Sequence, residues 1–306
     1  MKKRKNKSVV IFLVLLPIVI SAQSFTMPLW ENYIPNSPKE KLEESYSNEH
    51  YYVVSNPDIA VYFPSKWNFT GQAVLVIPGG GYHASSYTWE GTDVAKWLNA
   101  NGIVAAVLKY RLPNDTTTNI VRYKSPMLDA SRALRIIRAN AEKWKINKNK
   151  VGVMGFSAGG HLASTLGTHF DEEKTRIDAI DSLSSRPDFM ILMYPVISMD
   201  SEITHKGSKN NLLGKNPPNE LINYYSTEKH VTPNTPTTFI VAASDDKVVK
   251  VQNSILFYEA LIKQGVDAEM HIYKKGGHGF GLANGIDYLT TWRKRFLDWI
   301  KNLKEK

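Results

Sequence analysis

The chain has 306 residues, 42% of them hydrophobic and 22% charged, enough for one large domain with a complete core. More than half of its formal charge of +9 is concentrated at the start, and no Lys/Arg stripe of the kind nucleic-acid binding requires runs through the remainder. There is no cysteine, so a disulfide framework and lipid attachment to an N-terminal cysteine are both excluded.

Lys2, Lys3, Arg4, Lys5 and Lys7 precede a 12-residue apolar run at 9–20, which contains Pro17 and is followed by Ser21, Ala22, Gln23 and Ser24. This three-part pattern predicts a signal peptide over residues 1–24, cleaved after Ala22 or Ser24. The run is too short to span a bilayer comfortably; an uncleaved anchor is the alternative reading. Cleavage removes five basic and no acidic side chains, taking the formal charge from +9 to +4. The expected destination is a periplasm or the medium, with no stable membrane insertion after cleavage and no nucleic-acid partner. Residues 25–50 are polar and Pro-containing, with charges clustered at 39–44, and read as a leader lying over the surface of a domain at 51–306.

Strand-like segments begin with "YYVVS" (51–55) and "IAVYFP" (59–64), then "AVLVIP" (73–78) and "IVAAVLKY" (103–110). "VGVMG" (151–155), "DFMILMYPV" (188–196), "TTFIVAA" (237–243) and "AEMHIYK" (268–274) continue the series. Several are unbroken apolar runs, which suits a sheet covered on both faces. Helix-like stretches fall between them at 92–100, 125–144, 158–168, 251–263 and 286–301. In the second, Met127, Ala130, Leu134, Ile137, Ala141 and Trp144 lie on one helical face. Gly265 closes the fourth in the manner of a C-terminal glycine. Strands alternating with helices predict an α/β architecture with a mainly parallel central sheet and helices on both faces. The region 197–236 has no clear periodicity and reads as an insertion that covers a site.

Three segments carry chemistry. In "VGVMGFSAGGHLAS" (151–164), Ser157 stands among glycines where a buried strand meets a helix, the pattern of a nucleophile elbow. In "AASDDKVV" (242–249) a carboxylate follows a strand and can orient an imidazole. Asp246 is chosen over Asp245 because it precedes Val249 by the spacing of an Asp-x-x-Val turn; Asp245 is left a structural role. In "KGGHGFG" (275–281), His278 lies between glycines after the last strand. Ser, Asp, His is the chain order of the α/β-hydrolases. A fourth segment, "VIPGGGYH" (76–83), ends a strand in three glycines, with Pro78 where a lipase-type His-Gly-Gly-Gly motif has histidine. The amides of Gly80, Gly81 and Ala158 are the candidate donors to an oxyanion. The loop lacks both the Lys-Ser/Thr ending and the Gly-x-Gly-x-x-Gly spacing of phosphate-binding loops.

The remaining polar and aromatic residues near these motifs have simpler readings beside the functional ones. Tyr82, His83, Trp89 and Phe280 are candidate substrate contacts, although aromatics beside a core usually pack. His161 reads as a packing residue of the first helical turn, and Glu90 as a loop-fixing or capping group. The histidines show no metal-ligand spacing, no metal or organic cofactor is expected, and no second carboxylate motif suggests a glycosidase pair.

On these segments, with "WEG", "VLKYRLP" and "RPDFMILMYPVIS" between them, the chain resembles the acetyl-xylan-esterase and BD-FAE-like group of bacterial carbohydrate esterases. The resemblance runs over most of the length beyond the signal-like segment. It implies the α/β-hydrolase fold, Ser157, Asp246 and His278 as the triad, and carboxylic ester hydrolysis, with an acetylated plant polysaccharide as the expected substrate. Lys250 departs from the group, where many members have proline after the valine; this touches loop stiffness more than chemistry. A feruloyl esterase and a prolyl-oligopeptidase-type serine peptidase share the triad order and stay open as alternatives. A non-catalytic binding protein on the same scaffold would be marked by loss of a triad residue, and all three are present.

Overall fold

The unbroken apolar runs form the middle of one eight-stranded sheet, because strands buried on both faces have no polar side to show. The computed structural model of the chain describes residues 24–38, 42–113, 119–172, 175 and 177–303; residues 1–23 of the expected signal peptide lie outside these. In chain order the strands are β1 (Ser24–Pro28), β2 (Ser45–Ser47), β3 (His50–Val53), β4 (Asp58–Tyr62) and β5 (Ala73–Ile77). There follow β6 (Val104–Lys109), β7 (Val151–Phe156), β8 (Phe189–Met193), β9 (Thr237–Ala243) and β10 (Ala268–Tyr273). The helices are α1 (Asp93–Ala100), α2 (Lys124–Ala139), α3 (Ala158–Thr168), α4 (Lys206–Leu213), α5 (Asn219–Tyr224), α6 (Gln252–Lys263) and α7 (Asp287–Lys301).

The sheet order is β1-β4-β6-β5-β7-β8-β9-β10, while β2 and β3 form a separate antiparallel ribbon. β4 runs antiparallel to β1 and β6, and every pairing from β6 to β10 is parallel. Alternation along each strand sends Leu75, Ile77 and Val153 to one face, under α2, α3 and α6. Val74, Val76, Met154 and Phe156 go to the other, under α1 and α7. Burying one such large side chain stabilises the fold by about 1.5–3 kcal/mol relative to leaving it exposed. The parallel strands end together, so the loops after β5, β7, β8, β9 and β10 gather at one edge, where open α/β sheets bind ligands.

Two readings from sequence need correction. The segment 25–50 does not simply lie over the surface. β1 adds an edge strand to the main sheet, and Leu29 and Trp30 are buried. Trp30 Nε1 donates to Asp129 Oδ1 at 2.9 Å, and Arg111, fully buried with Asp129, donates to the Pro35 carbonyl at 2.6 Å. Glu44 is gripped by Lys109 at 2.8 Å. The segment supplies partners to buried charges that would otherwise be costly, a role that polar composition does not announce. Secondly, α2 ends at Ala139, and Trp144 continues the apolar face from a turn. The strand expected at "YYVVS" is present as β3, paired with β2 in the ribbon.

Candidate active site

Ser157 follows β7 directly and occupies the position before the first residue of α3. Its φ of 51° and ψ of −117° are strained for a residue with a Cβ, at a cost of about 1–3 kcal/mol. Neighbouring backbone holds the strain in place. Ser157 N–H donates to the Met193 carbonyl at 3.0 Å, and its own carbonyl accepts from His161 at 3.1 Å and Val196 at 3.0 Å. Glycine at 155 and 159 is required by closeness, not by torsion. A Cβ on Gly155 would stand 2.2 Å from the Gly159 carbonyl oxygen, and one on Gly159 would stand 2.2 Å from that of Ile77. A serine at a helix N-cap ordinarily caps with its hydroxyl. Here the hydroxyl makes no cap and is 2.8 Å from His278 Nε2.

His278 Nδ1 is 2.7 Å from Asp246 Oδ2. A carboxylate only accepts, so Nδ1 carries the proton, which turns Nε2 toward the Ser157 hydroxyl. Asp246 Oδ1 accepts the amides of Val248 at 2.8 Å and Val249 at 2.9 Å, which is the physical content of the Asp-x-x-Val spacing. The Asp246 side chain is 2% exposed and that of His278 16%, so the pair works largely out of water. Asp245 points the other way. Its Oδ1 accepts from Gly276 and Gly277, each at 2.8 Å, and these hydrogen bonds, led by Gly277, hold its carboxyl below the usual range. One aspartate thus orients the ring, and its neighbour holds the loop that carries the ring.

The glycine loop runs beside the serine: a Cβ on Gly79 would stand 3.0 Å from Ser157 Cβ. Gly80 has φ 125° and turns the chain so tightly that a Cβ would meet the Ala84 carbonyl oxygen at 2.2 Å. Among the described residues, no protein acceptor takes the amide protons of Gly80, Gly81 or Ala158. Glu90, 4% exposed, fixes the loop by accepting from Gly79 N–H at 2.8 Å.

Two of the four candidate substrate contacts are corrected by their burial. Tyr82 is 1% exposed and turns into the core, where its hydroxyl donates to His161 Nδ1 at 2.8 Å; the opposite nitrogen of that ring donates to the Tyr225 carbonyl at 2.7 Å. Burial pushes His161 down to about 4, so it is neutral and structural. Phe280 is 4% exposed and packs against the Tyr194 ring at 4.6 Å. His83 is exposed, with Tyr52 edge-on at 6.0 Å, and Trp89 is 40% exposed with its Nε1 donating to the Gly279 carbonyl at 2.8 Å.

The insertion adds a residue that sequence reasoning missed. His205, at the start of α4, lies with Cε1 3.7 Å from where a Gly81 Cβ would be. Burial, and secondarily the charge of His278, hold its imidazole below its usual range. From the same insertion, Asn211 Nδ2 donates to the Gly81 carbonyl at 2.8 Å. No local pattern marked either residue; only the fold brings them to the loop. Among the described residues, no group of three or more His, Cys, Asp or Glu side chains is placed to hold a metal ion.

A strained serine hydrogen-bonded to a histidine, itself hydrogen-bonded to a buried carboxylate, can deliver an activated hydroxyl to a carbonyl carbon. Comparison with known proteins agrees on the scaffold. The sequence profile of the BD-FAE family matches residues 59–261. The chain belongs to the BD-FAE family. Over 240 residues this BD-FAE chain is 39% identical to an acetylxylan esterase of Xylanibacter ruminicola, an alignment covering 77% of the chain and 46% of that relative. Over 219 residues it is 41% identical to an endo-1,4-beta-xylanase B of Butyrivibrio fibrisolvens, covering 72% and 34% respectively. The chain therefore spans less than half the length of these two curated relatives. The crystal structure of an acetyl ester-xyloside bifunctional hydrolase from Caldicellulosiruptor lactoaceticus is similar with a TM-score of 0.76 at 39% identity, over 90% of this chain and 95% of that one. The BD-FAE chain has the α/β-hydrolase fold.

Proposed function

We propose that the chain is an exported serine carboxylic ester hydrolase that removes acetyl groups from plant polysaccharides or their oligosaccharides. The observation that carries this reading is the hydrogen-bonded series Ser157–His278–Asp246, with distances of 2.8 and 2.7 Å, beside a glycine loop whose amides face no protein acceptor among the described residues. The named activities of the relatives support an acetyl ester on a xylan-related carbohydrate. The basic and apolar pattern at 1–24 supports export.

In this mechanism His278 Nε2 takes the Ser157 proton as Oγ attacks the ester carbonyl carbon. The negative oxygen of the tetrahedral intermediate is bound by the amides of Gly80, Gly81 and Ala158, each donor contributing about 10²–10³ in rate. The C–O bond to the sugar breaks, and the protonated imidazole gives its proton to the departing alkoxide. Water then enters, His278 takes its proton, and hydroxide attacks the acetyl-enzyme. Acetate leaves as the proton returns to Ser157. Asp246 holds the ring in one tautomer and stabilises its protonated form throughout.

The test is acetate release from acetylated xylan, mannan and pectin by the wild-type chain and by Ser157→Ala. The variant should keep its melting temperature and lose about 10⁴-fold or more in turnover. Equal turnover in the variant, or no acetate from any of the three polymers with the wild type, would overturn the reading. Ferulate release in its place would move the substrate class to feruloyl esters.

A further inference from the structure

Glu90 lies between two loops that the proposed mechanism needs, yet no step uses it. It sits in a single wide helical turn, Thr88–Thr92, just before α1. Its Oε2 accepts from Gly79 N–H at 2.8 Å, and its Oε1 accepts from the Tyr194 hydroxyl, also at 2.8 Å. The Tyr194 oxygen itself accepts from Gly281 N–H at 2.9 Å, so its one proton is committed to Glu90. Both carboxylate oxygens therefore face donors, the arrangement an ionised group requires. Burial raises the Glu90 carboxyl, and these two hydrogen bonds oppose the rise.

The adjacent residue reaches the same segment. Trp89 Nε1 donates to the Gly279 carbonyl at 2.8 Å, and the chain passes so near the indole that a Cβ on Gly281 would stand 2.8 Å from that nitrogen. The Tyr194 ring lies edge-on to His278 at 5.0 Å. Trp89 and Glu90 thus tie the turn before α1 to the segment just after His278, while Glu90 also ties it to the glycine loop.

We infer that Glu90 is a positioning residue for both halves of the site: it fixes the Gly79 end of the loop carrying Gly80 and Gly81, fixes through Tyr194 the segment carrying His278, and adds a second buried negative charge that favours the protonated imidazole. The inference rests on the esterase reading above, in which that imidazole forms when His278 takes the serine proton. A charge in this dry setting is poorly screened, so it acts on the ring without touching it. Besides the Ser157 hydroxyl, the titratable groups facing His278 are Asp246 from the β9–α6 loop, Glu90, Tyr194 after β8 and His205 at the start of α4. His50 of β3 also faces Glu90.

The experiment is the pH profile of kcat/KM for p-nitrophenyl acetate, with Ser157→Ala run beside it, for wild type, Glu90→Gln and Glu90→Asp. The acid limb reports the proton that the general base must lose. Removing a negative charge disfavours the protonated ring, so Glu90→Gln should move that limb to lower pH. Its plateau kcat should fall about 10–100-fold with little change in KM. Glu90→Asp keeps the charge and should leave the limb in place while losing rate. A folded Glu90→Gln with an unmoved limb, or with wild-type kcat, overturns the inference while the esterase reading stands. If Glu90→Gln has no melting transition, Tyr194→Phe decides: it cuts the link to Gly281 and leaves the charge. It should lose about 3–10-fold in kcat with the limb unmoved, and wild-type kcat in it overturns the inference. Equal hydrolysis by Ser157→Ala and wild type overturns both the inference and the reading beneath it.

Discussion

The wall of the site built by β5, β7 and α3 is held backbone against backbone, whereas the insertion at 197–236 anchors itself with buried apolar side chains such as Ile197, Met199 and Leu212 and reaches its neighbours through individual side-chain hydrogen bonds. In the first wall, carbonyl oxygens stand where Cβ atoms at Gly155 and Gly159 would have to be. In the second, Asn253 accepts from the amides of Ile197 and Ser198 and donates to the Ile203 carbonyl, Lys250 donates to the Glu202 carbonyl, and Asn211 grips Gly81. The first wall places Ser157 and leaves no room for a Cβ at Gly155 or Gly159. The second sits over the glycine loop and can change one contact at a time, which is where a common scaffold can vary its substrate without moving Ser157.

The sharpest way to break this contrast is Gly159→Ala. A methyl group aimed at the backbone of Ile77 and Pro78 must displace α3, so stability should fall by about 3 kcal/mol or more, with activity lost alongside. Denaturant titration measures it; an unchanged midpoint would mean the wall is looser than its contacts imply.

A smaller effect is expected where the two regions meet. His161 of α3 donates to the Tyr225 carbonyl of the insertion and is neutral, burial having lowered it from 6.5 to about 4. The unfolded chain takes up this proton below pH 6.5 and the folded chain does not. Its stabilisation is therefore present above pH 6.5 and is lost as pH falls from 6.5 to about 4, by roughly 3 kcal/mol at full extent. His169, also lowered to about 4 by burial and in ring contact with Tyr224 and His230, adds to the same slope. Melting temperature against pH should fall across this window, and His161→Gln should flatten the fall; an identical slope in the variant would remove His161 from the cause.

The smallest effect belongs to the single contact from the insertion to the glycine loop. Asn211→Ala removes one neutral hydrogen bond to Gly81 and should cost about 1 kcal/mol in stability. It should lower kcat several-fold, about 3–10, by loosening the loop that places Gly81. A change in KM without a change in kcat would assign Asn211 to substrate binding and not to loop placement.

The same contrast explains what could be read from sequence. The parallel strands, α3 and the three loops bearing Ser157, Asp246 and His278 were legible because each is dictated locally. An unbroken apolar run, a glycine cluster and an Asp-x-x-Val turn carry their geometry within a few residues. The edge strand β1, the helices α4 and α5, and the approach of His205 and Asn211 to Gly81 were not legible. Polar residues make these contacts across the fold, and no periodicity announces them. Tyr82 and Phe280 were misplaced for the same reason: an aromatic beside a motif has the same letters whether it turns inward to His161 and Tyr194 or outward to solvent.

The most direct test of Ser157 as the nucleophile is intact-mass analysis with peptide mapping after reaction with a fluorophosphonate, on wild type and His278→Ala. One adduct at Ser157 in the wild type, formed at least about 10³-fold more slowly in His278→Ala, is the predicted result. An adduct elsewhere, or labelling of Ser157 at the same rate without His278, would contradict it.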